Sequence, residues 1–447
     1  MASAAEQLAA SMNLGAFAKA TELKKRIWFT LGALIVYRLG TYIPLPGIDP
    51  AVIADIFARQ QGGILGMFNM FSGGALGRMT IFALNIMPYI SASIIMQLMT
   101  TVVPSLEALK KEGEAGRKKI NQHTRYLTVL ITAGQAYGLA IGLEGMQSGA
   151  VSAVIDPGWF FRLSCVITLV GGTMFLMWLG EQITARGIGN GISLIIFAGI
   201  VAQFPHSIAA TLELGRTGAL SPVFIVGMLV LILAVIFCVV FVERAQRRIV
   251  VQYPKRQVGM RITSGESSHL PLKINTSGVI PPIFASSLLL MPITIINFMA
   301  GSGPSWLTTV SVYLGHGQPL YLILYVSLIV FFAFFYTAVV FNPTETADNL
   351  KKYGGFIPGI RPGRNTAEYL DRVLTRLTVV GAAYLSIVCI LPEILISRFS
   401  VPFYFGGTSL LIVVTVTMDT VTQIQSHLLA HQYEGLIKKA KLRGRRG

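Results

Sequence analysis

The sequence predicts an all-α polytopic membrane protein, with ten transmembrane helices in two pseudo-symmetric five-helix halves and one re-entrant helix. Three observations lead there. Hydrophobic residues make up 53% of the chain and charged residues only 13%, where soluble globular chains carry about a quarter. Charge-free runs long enough to cross a bilayer recur at Met79 to Leu106, Gly187 to Leu212, Thr217 to Val242 and Ile274 to Thr344. The Lys and Arg residues are also unevenly placed. If both termini share one side, 30 of the 36 fall on that side, which the positive-inside rule makes cytoplasmic.

A cytoplasmic segment, 1–26, precedes a first half-bundle over 27–205. Its spans run from about Ile27 to Ile43, Met79 to Thr101, Thr124 to Leu143, Trp159 to Leu179 and Ile188 to Phe204. A second half-bundle over 206–425 holds Pro222 to Val242, Ile274 to Met299, Leu320 to Phe341, Leu374 to Ile396 and Phe403 to Gln425, and a basic tail fills 426–447. Five is odd, so the second half starts on the opposite side from the first, as in an inverted repeat around a central interface. Pro88, Pro281, Pro282, Pro292 and Pro392 fall within spans, where proline kinks a helix and leaves room between neighbours.

The stretch from Gly62 to Thr101 is the wrong length for an ordinary membrane span, and one span does not use it up. Gly73-Gly74 and Gly77-Arg78 divide it, since glycine costs roughly 1 kcal/mol against alanine inside a helix. The piece from Ile64 to Ser72, within a segment 62–77, is too short to cross and too apolar to float free. Backbone at membrane depth that does not span must be buried in protein or line a watery cavity, so this piece is predicted to be re-entrant.

Three cytoplasmic loops exceed what topology needs, and two of them have a readable form. Within 243–273, RRIVVQYPKRQVGMRIT has two β-branched runs around Pro254-Lys255 and predicts a protruding basic hairpin. Within 342–373, NLKKYGGFIPGIRPGRNT predicts a stiff tip presenting Arg361 and Arg364. These charges either set orientation alone or dock an acidic partner, a protein or an RNA surface, by sequence-independent contacts.

Catalytic and cofactor chemistry is not indicated. No phosphate-binding loop occurs, and GIGNG at 187–191 lacks the strand context of a dinucleotide site. His427 and His431 have helical metal-ligand spacing but no third ligand. Cys165, Cys238 and Cys389 sit singly in apolar runs and are read as packing residues. No cleavable signal peptide is expected at the N-terminus. Ionisable residues at span centres, Arg38 and Asp419 chief among them, are too few for the relay of an ion-coupled transporter.

The motifs NMFSGGALGR, IMPYISASI, KKEGEAGRKKINQ, GTMFLMWLGEQIT, RGIGNGIS, VFVERAQRRI, HLPLKIN, GVIPPIFASS, ETADNLKKYGGFIPGIRPG and VPFYFGGTSLLI follow one another in the order found in one family. From about Lys24 to Lys441 the chain resembles the SecY family of bacterial protein-conducting channels. That resemblance implies passage of unfolded polypeptide across the bacterial cytoplasmic membrane and sideways release of apolar segments into lipid, with no catalytic residue, metal or cofactor. It makes the re-entrant piece a plug of Ile64, Leu65, Met67, Phe68, Asn69, Met70, Phe71 and Ser72. It places a pore ring at Ile86, Ile90, Ile192, Ile196, Ile283 and Ile412, and a lateral gate at Ser91, Gln135, Ser286 and Ser287. Lys255, Arg256, Arg261 and Arg361 fall on the family's docking surface for the ribosome, with its RNA, or the motor ATPase SecA. SecE, SecG, a preprotein with its signal peptide and membrane lipid are the further implied partners. Asn85, where the family has a small residue, is expected to add a polar contact to the plug, and Pro282 to alter the seventh helix's bend. A small-solute secondary transporter and a structural scaffold are the alternatives.

Overall fold

Helices account for most of the chain in a computed structural model that describes residues 21–59, 69, 72–145, 147–148, 151–218, 221–253, 256–258, 261–263, 267–299, 309, 313, 318–399 and 407–443. They are α1 (Thr21–Gly40), α2 (Pro50–Arg59), α3 (Met87–Val102), α4 (Pro104–Lys111), α5 (Glu114–Gly145), α6 (Trp159–Arg186), α7 (Gly191–Arg216), α8 (Pro222–Arg244), α9 (Ile280–Met299), α10 (Pro319–Val340), α11 (Pro343–Lys352), α12 (Arg364–Phe399) and α13 (Gly407–Arg443). Among the described residues, six helices are long and apolar enough to cross a membrane: α5, α6, α7, α8, α10 with its continuation α11, and α12. The pair α3 and α4, bent by 97°, makes a seventh if it counts as one span. The bend follows from Pro104: the residue before a proline is driven to extended backbone, and Val103 has φ −96° and ψ 115°.

Contacts divide the chain into two compact units. The first comprises Met1–Ser207, Thr294–Thr308 and Ile412–Gly447; the second comprises Ile208–Ile293 and Thr309–Leu411.

In the first unit, α6 packs against α1 and α5, and α3 against α5, while two short antiparallel strands, β1 (Gln147–Ser148) and β2 (Val151–Ser152), follow α5. Tyr37 of α1 stacks on Phe82, which stacks in turn on Phe175 of α6, with ring centroids 6.2 and 5.9 Å apart. Thr124, Thr128 and Thr132 form a buried row on α5, each hydroxyl donating to the carbonyl four residues back, at 2.9, 2.7 and 2.6 Å. The row buries hydroxyls without needing a partner from another helix.

The helix predicted from about Met79 begins only at Met87. Residues 79–86 are turns because Met79 (φ 43°) and Asn85 (φ 49°) adopt left-handed backbone, which ends a right-handed helix. Backbone groups there pair with a distant segment instead, Leu45 N–H donating to Met79 O at 2.9 Å and Ile81 N–H to Ile43 O at 3.0 Å. Pro88 is therefore no kink: it stands in the first turn of α3, where a missing N–H costs nothing. Pro281 and Pro282 occupy the same position at the start of α9, so neither bends that helix.

In the second unit α10 packs on α12, and α11 on the start of α12. The hairpin is present with a different partner strand. Strand β3 (Gln246–Gln252) pairs not with the second β-branched run but with β6 (Ser267–Lys273), in register from Gln246 opposite Lys273 to Gln252 opposite Ser267. A smaller pair, β4 (Arg256–Val258) with β5 (Arg261–Thr263), lies between them in sequence. Pro271 is tolerated because every strand of a two-stranded ribbon has a free edge. The two long loops are not independent protrusions. Gln252 and Phe356 exchange backbone hydrogen bonds of 2.9 Å in both directions, and Ile249 and Leu272 bury against Ile357, Leu370, Val373 and Leu374. Cys165 and Cys389 are buried as expected of packing residues, whereas Cys238 is exposed on α8, a helix on which only Val239 and Glu243 are buried within the chain.

Candidate functional site

The site is built on the turns that lead into α3. Asn69 organises their start: its side-chain oxygen accepts from Gly77 N–H at 2.6 Å, and its carbonyl accepts from Gly74 N–H at 2.8 Å and the Ser72 hydroxyl at 2.9 Å. The Ser72 hydroxyl in turn accepts from Leu76 N–H at 3.1 Å. Gly73 (φ 66°) and Gly74 (φ 83°) hold left-handed backbone in a confined place, since a Cβ on Gly74 would lie 2.5 Å from Gln203 Nε2. Tyr37 donates its hydroxyl to Ser72 O at 3.4 Å, and Arg38 and Arg78 both donate to Gly73 O, at 2.7 and 3.3 Å. Of the predicted plug residues, Asn69 and Ser72 are thus placed, while Ile64, Leu65, Met67, Phe68, Met70 and Phe71 lie outside the described residues.

Asn85 is buried and interacts electrostatically with Tyr37, the side chain whose hydroxyl donates to Ser72 O. Ile86 closes the turns, fully buried, and its carbonyl accepts from Ile90 N–H at 3.1 Å; the four-residue spacing puts both isoleucines on one face of α3. Ile192 and Ile196 share a face of α7 in the same way, Ile196 buried and Ile192 half-buried. The start of α7 is set by the glycines of 187–191: Gly189 N–H donates to Gln423 Oε1 of α13 at 2.8 Å, and Gly191 lies where any side chain would strike the Gly180 carbonyl of α6. Ile412 is buried on α13. Ile86, Ile90, Ile192, Ile196 and Ile412 belong to the first unit, and Ile283, half-buried on α9, to the second.

Among the predicted gate residues, Ser91 and half-buried Gln135 lie on the mutually packed helices α3 and α5. Ser286 and Ser287 are buried on α9, where Ser286 donates back to Ile283 O at 3.0 Å. Of the docking residues, Arg361 is exposed between two left-handed glycines, Gly359 and Gly363. Arg256 and Arg261 lie on β4 and β5, and Lys255 lies outside the described residues. The sequence reading missed the grouping of Arg38, Arg78 and Tyr42. The available signal was that Arg38 lies within a predicted span and Arg78 at the predicted re-entrant break, both apart from the basic loops.

A profile of the SecY family matches residues 80–421. The chain is 60% identical over 424 residues to the protein translocase subunit SecY of Escherichia coli strain K12, covering 95% of this chain and 96% of that one. The chain belongs to the SecY family. Solved structures agree on the fold of this SecY-family chain. A protein-conducting channel superposes with a TM-score of 0.66 at 19% identity, covering 92% of this chain and 93% of the other. Sec61 in the canine ribosome–channel complex from the endoplasmic reticulum gives 0.63 at 18%, with the same coverage.

Proposed function

We infer that this chain is the channel-forming subunit of a protein translocase, which passes unfolded polypeptide across the bacterial cytoplasmic membrane and releases apolar segments laterally into lipid. The observation that carries this is the 60% identity, over nearly the full length of both chains, to a translocase subunit. Family membership makes it a channel subunit, not a catalytic enzyme, and leaves the small-solute transporter and the scaffold without support.

In this reading ten helices cross the membrane as two five-helix halves with both termini cytoplasmic, as the distribution of Lys and Arg favours. Ile86, Ile90, Ile192, Ile196, Ile283 and Ile412 form the waist. Isoleucine suits it, being apolar and stiff at its first torsion, and a greasy constriction gates by dewetting and closes around a chain without offering it hydrogen bonds. The segment from Ile64 to Ser72 is the plug. Ser91, Gln135, Ser286 and Ser287 line the lateral gate, where interhelical polar contacts average only about 0.6 kcal/mol and so permit opening. A passing segment then partitions by its own side chains, Leu or Ile favouring lipid by about 0.3–0.6 kcal/mol each and a central charge opposing it by about 2.5–3.5 kcal/mol. The joined cytoplasmic loops, with Lys255, Arg256, Arg261 and Arg361, form the surface for a ribosome or SecA; SecE and SecG complete the complex.

Reconstitution tests the reading. With its partner subunits, motor and ATP, vesicles containing the chain should protect a signal-bearing precursor from external protease. Absence of protection while vesicles accumulate a small solute would overturn it.

A further inference from the structure

Two arginines converge on a single backbone carbonyl beside the re-entrant segment, and the translocation reading gives them no task. Arg38 Nη1 lies 2.7 Å from Gly73 O and Arg78 Nη2 lies 3.3 Å from the same atom. Both guanidinium groups also lie over the ring of Tyr42, at 5.1 and 4.1 Å from its centroid, and Arg38 Nη2 donates to the Tyr42 hydroxyl at 3.1 Å. Neither arginine has a carboxylate partner among the described residues, and the neighbouring stretch 60–71 contains no Asp or Glu. Two like charges held together near a membrane are costly, so the arrangement needs a compensating return. The tyrosine face and the shared carbonyl supply part of it, because a cation over an aromatic ring and a charged donor on a carbonyl are both favourable.

The carbonyl chosen is at a telling position. Gly73 and Gly74 follow the plug directly, and their left-handed backbone is clamped on several sides. A Cβ on Gly73 would lie 3.0 Å from Gly199 Cα and 3.3 Å from the Tyr37 hydroxyl, and one on Gly74 would lie 3.2 Å from Arg78 Nη2. Tyr37 adds its own bond to Ser72 O, one residue upstream. Three donors from α1 and the turns thus grip two consecutive carbonyls at the plug's end. Arg38 lies on α1, a helix fixed through Tyr37 and Phe82 to α6, so the grip is referred to the body of the first unit.

We propose that Arg38, Arg78 and Tyr42 are positioning residues that latch the C-terminal end of the plug and so set how often the resting channel leaks. The latch rests on the plug reading above. A guanidinium fork is the right group, since it bonds a carbonyl and stacks on a ring at once, whereas a lysine ammonium does only part of this.

The test measures ion conductance of the purified complex in planar bilayers, in five channels: unaltered, Arg38→Gln with Arg78→Gln, plug-deleted (Ile64 to Ser72 removed), plug-deleted with both glutamine substitutions, and Arg38→Lys with Arg78→Lys. The double substitution should raise resting conductance roughly tenfold, equivalent to about 1.4 kcal/mol. Plug deletion should raise it further, and the substitutions should then add nothing. Arg38→Lys with Arg78→Lys, which keeps the charge, should fall between the first two channels and guards against an effect of misfolding. If deletion raises conductance and the glutamines do not, or if they raise it equally without a plug, the latch is overturned while the plug stands. If deletion itself leaves conductance unchanged, the plug reading fails, and the latch with it.

Discussion

At the scale of single residues, close backbone approach matters more than any reactive group. Gly172 of α6 lies where a side chain would strike the Ile81 carbonyl, within the turns that carry Ile86. Gly172→Ala should therefore destabilise the first unit by about 1–3 kcal/mol, the usual cost of overpacking, and shift those turns. Thermal unfolding in detergent checks this; an unchanged midpoint would mean that α6 is not seated against them. None of this is legible in the sequence, where Gly172 is one small residue in an apolar run. The waist isoleucines came from the family resemblance, because a buried isoleucine that packs and one that lines a pore have the same local pattern. Arg38 and Arg78 stand apart from the basic loops in the sequence, but their shared partner, Gly73 O, is a backbone atom and leaves no trace in residue types.

At the scale of elements, apolar runs located the helices well and their starts poorly. A helix is present at every predicted span, yet α3 starts eight residues late, at Met87 where Met79 was expected. Left-handed Met79 and Asn85 and hydrogen bonds to 43–45 decide that boundary, and both lie beyond a periodicity reading. The β-ribbon was half legible. Its first strand has the β-branched run, but β6 contains Pro271, which argues locally against a strand, and its pairing to β3 spans a long gap in sequence. Gln252 and Phe356 join the two loops, and Arg361 lies at an exposed turn of the second. Arg361→Glu should leave the unfolding midpoint within about 0.5 kcal/mol of the unaltered chain, as surface changes do, while lowering motor- or ribosome-driven transport. Normal transport rates in the reconstituted system would remove Arg361 from the docking surface.

At the scale of the whole molecule, composition and charge carried furthest. An apolar chain with recurring charge-free runs is legible as a polytopic membrane protein. The family resemblance then turned helices with no catalytic chemistry into a conduit. The central claim is that polypeptide passes a waist of isoleucines inside the helical body, and crosslinking reads this directly. In a complex whose three native cysteines are replaced, a cysteine is placed either at Ile86, buried at the head of α3, or at Leu233, 58% exposed on α8. A secretory chain stalled in transit and carrying a crosslinker should form an adduct at position 86 and none at 233. Adducts at 233 with none at 86 would mean that the chain travels along the outside of the bundle, and the account would be wrong.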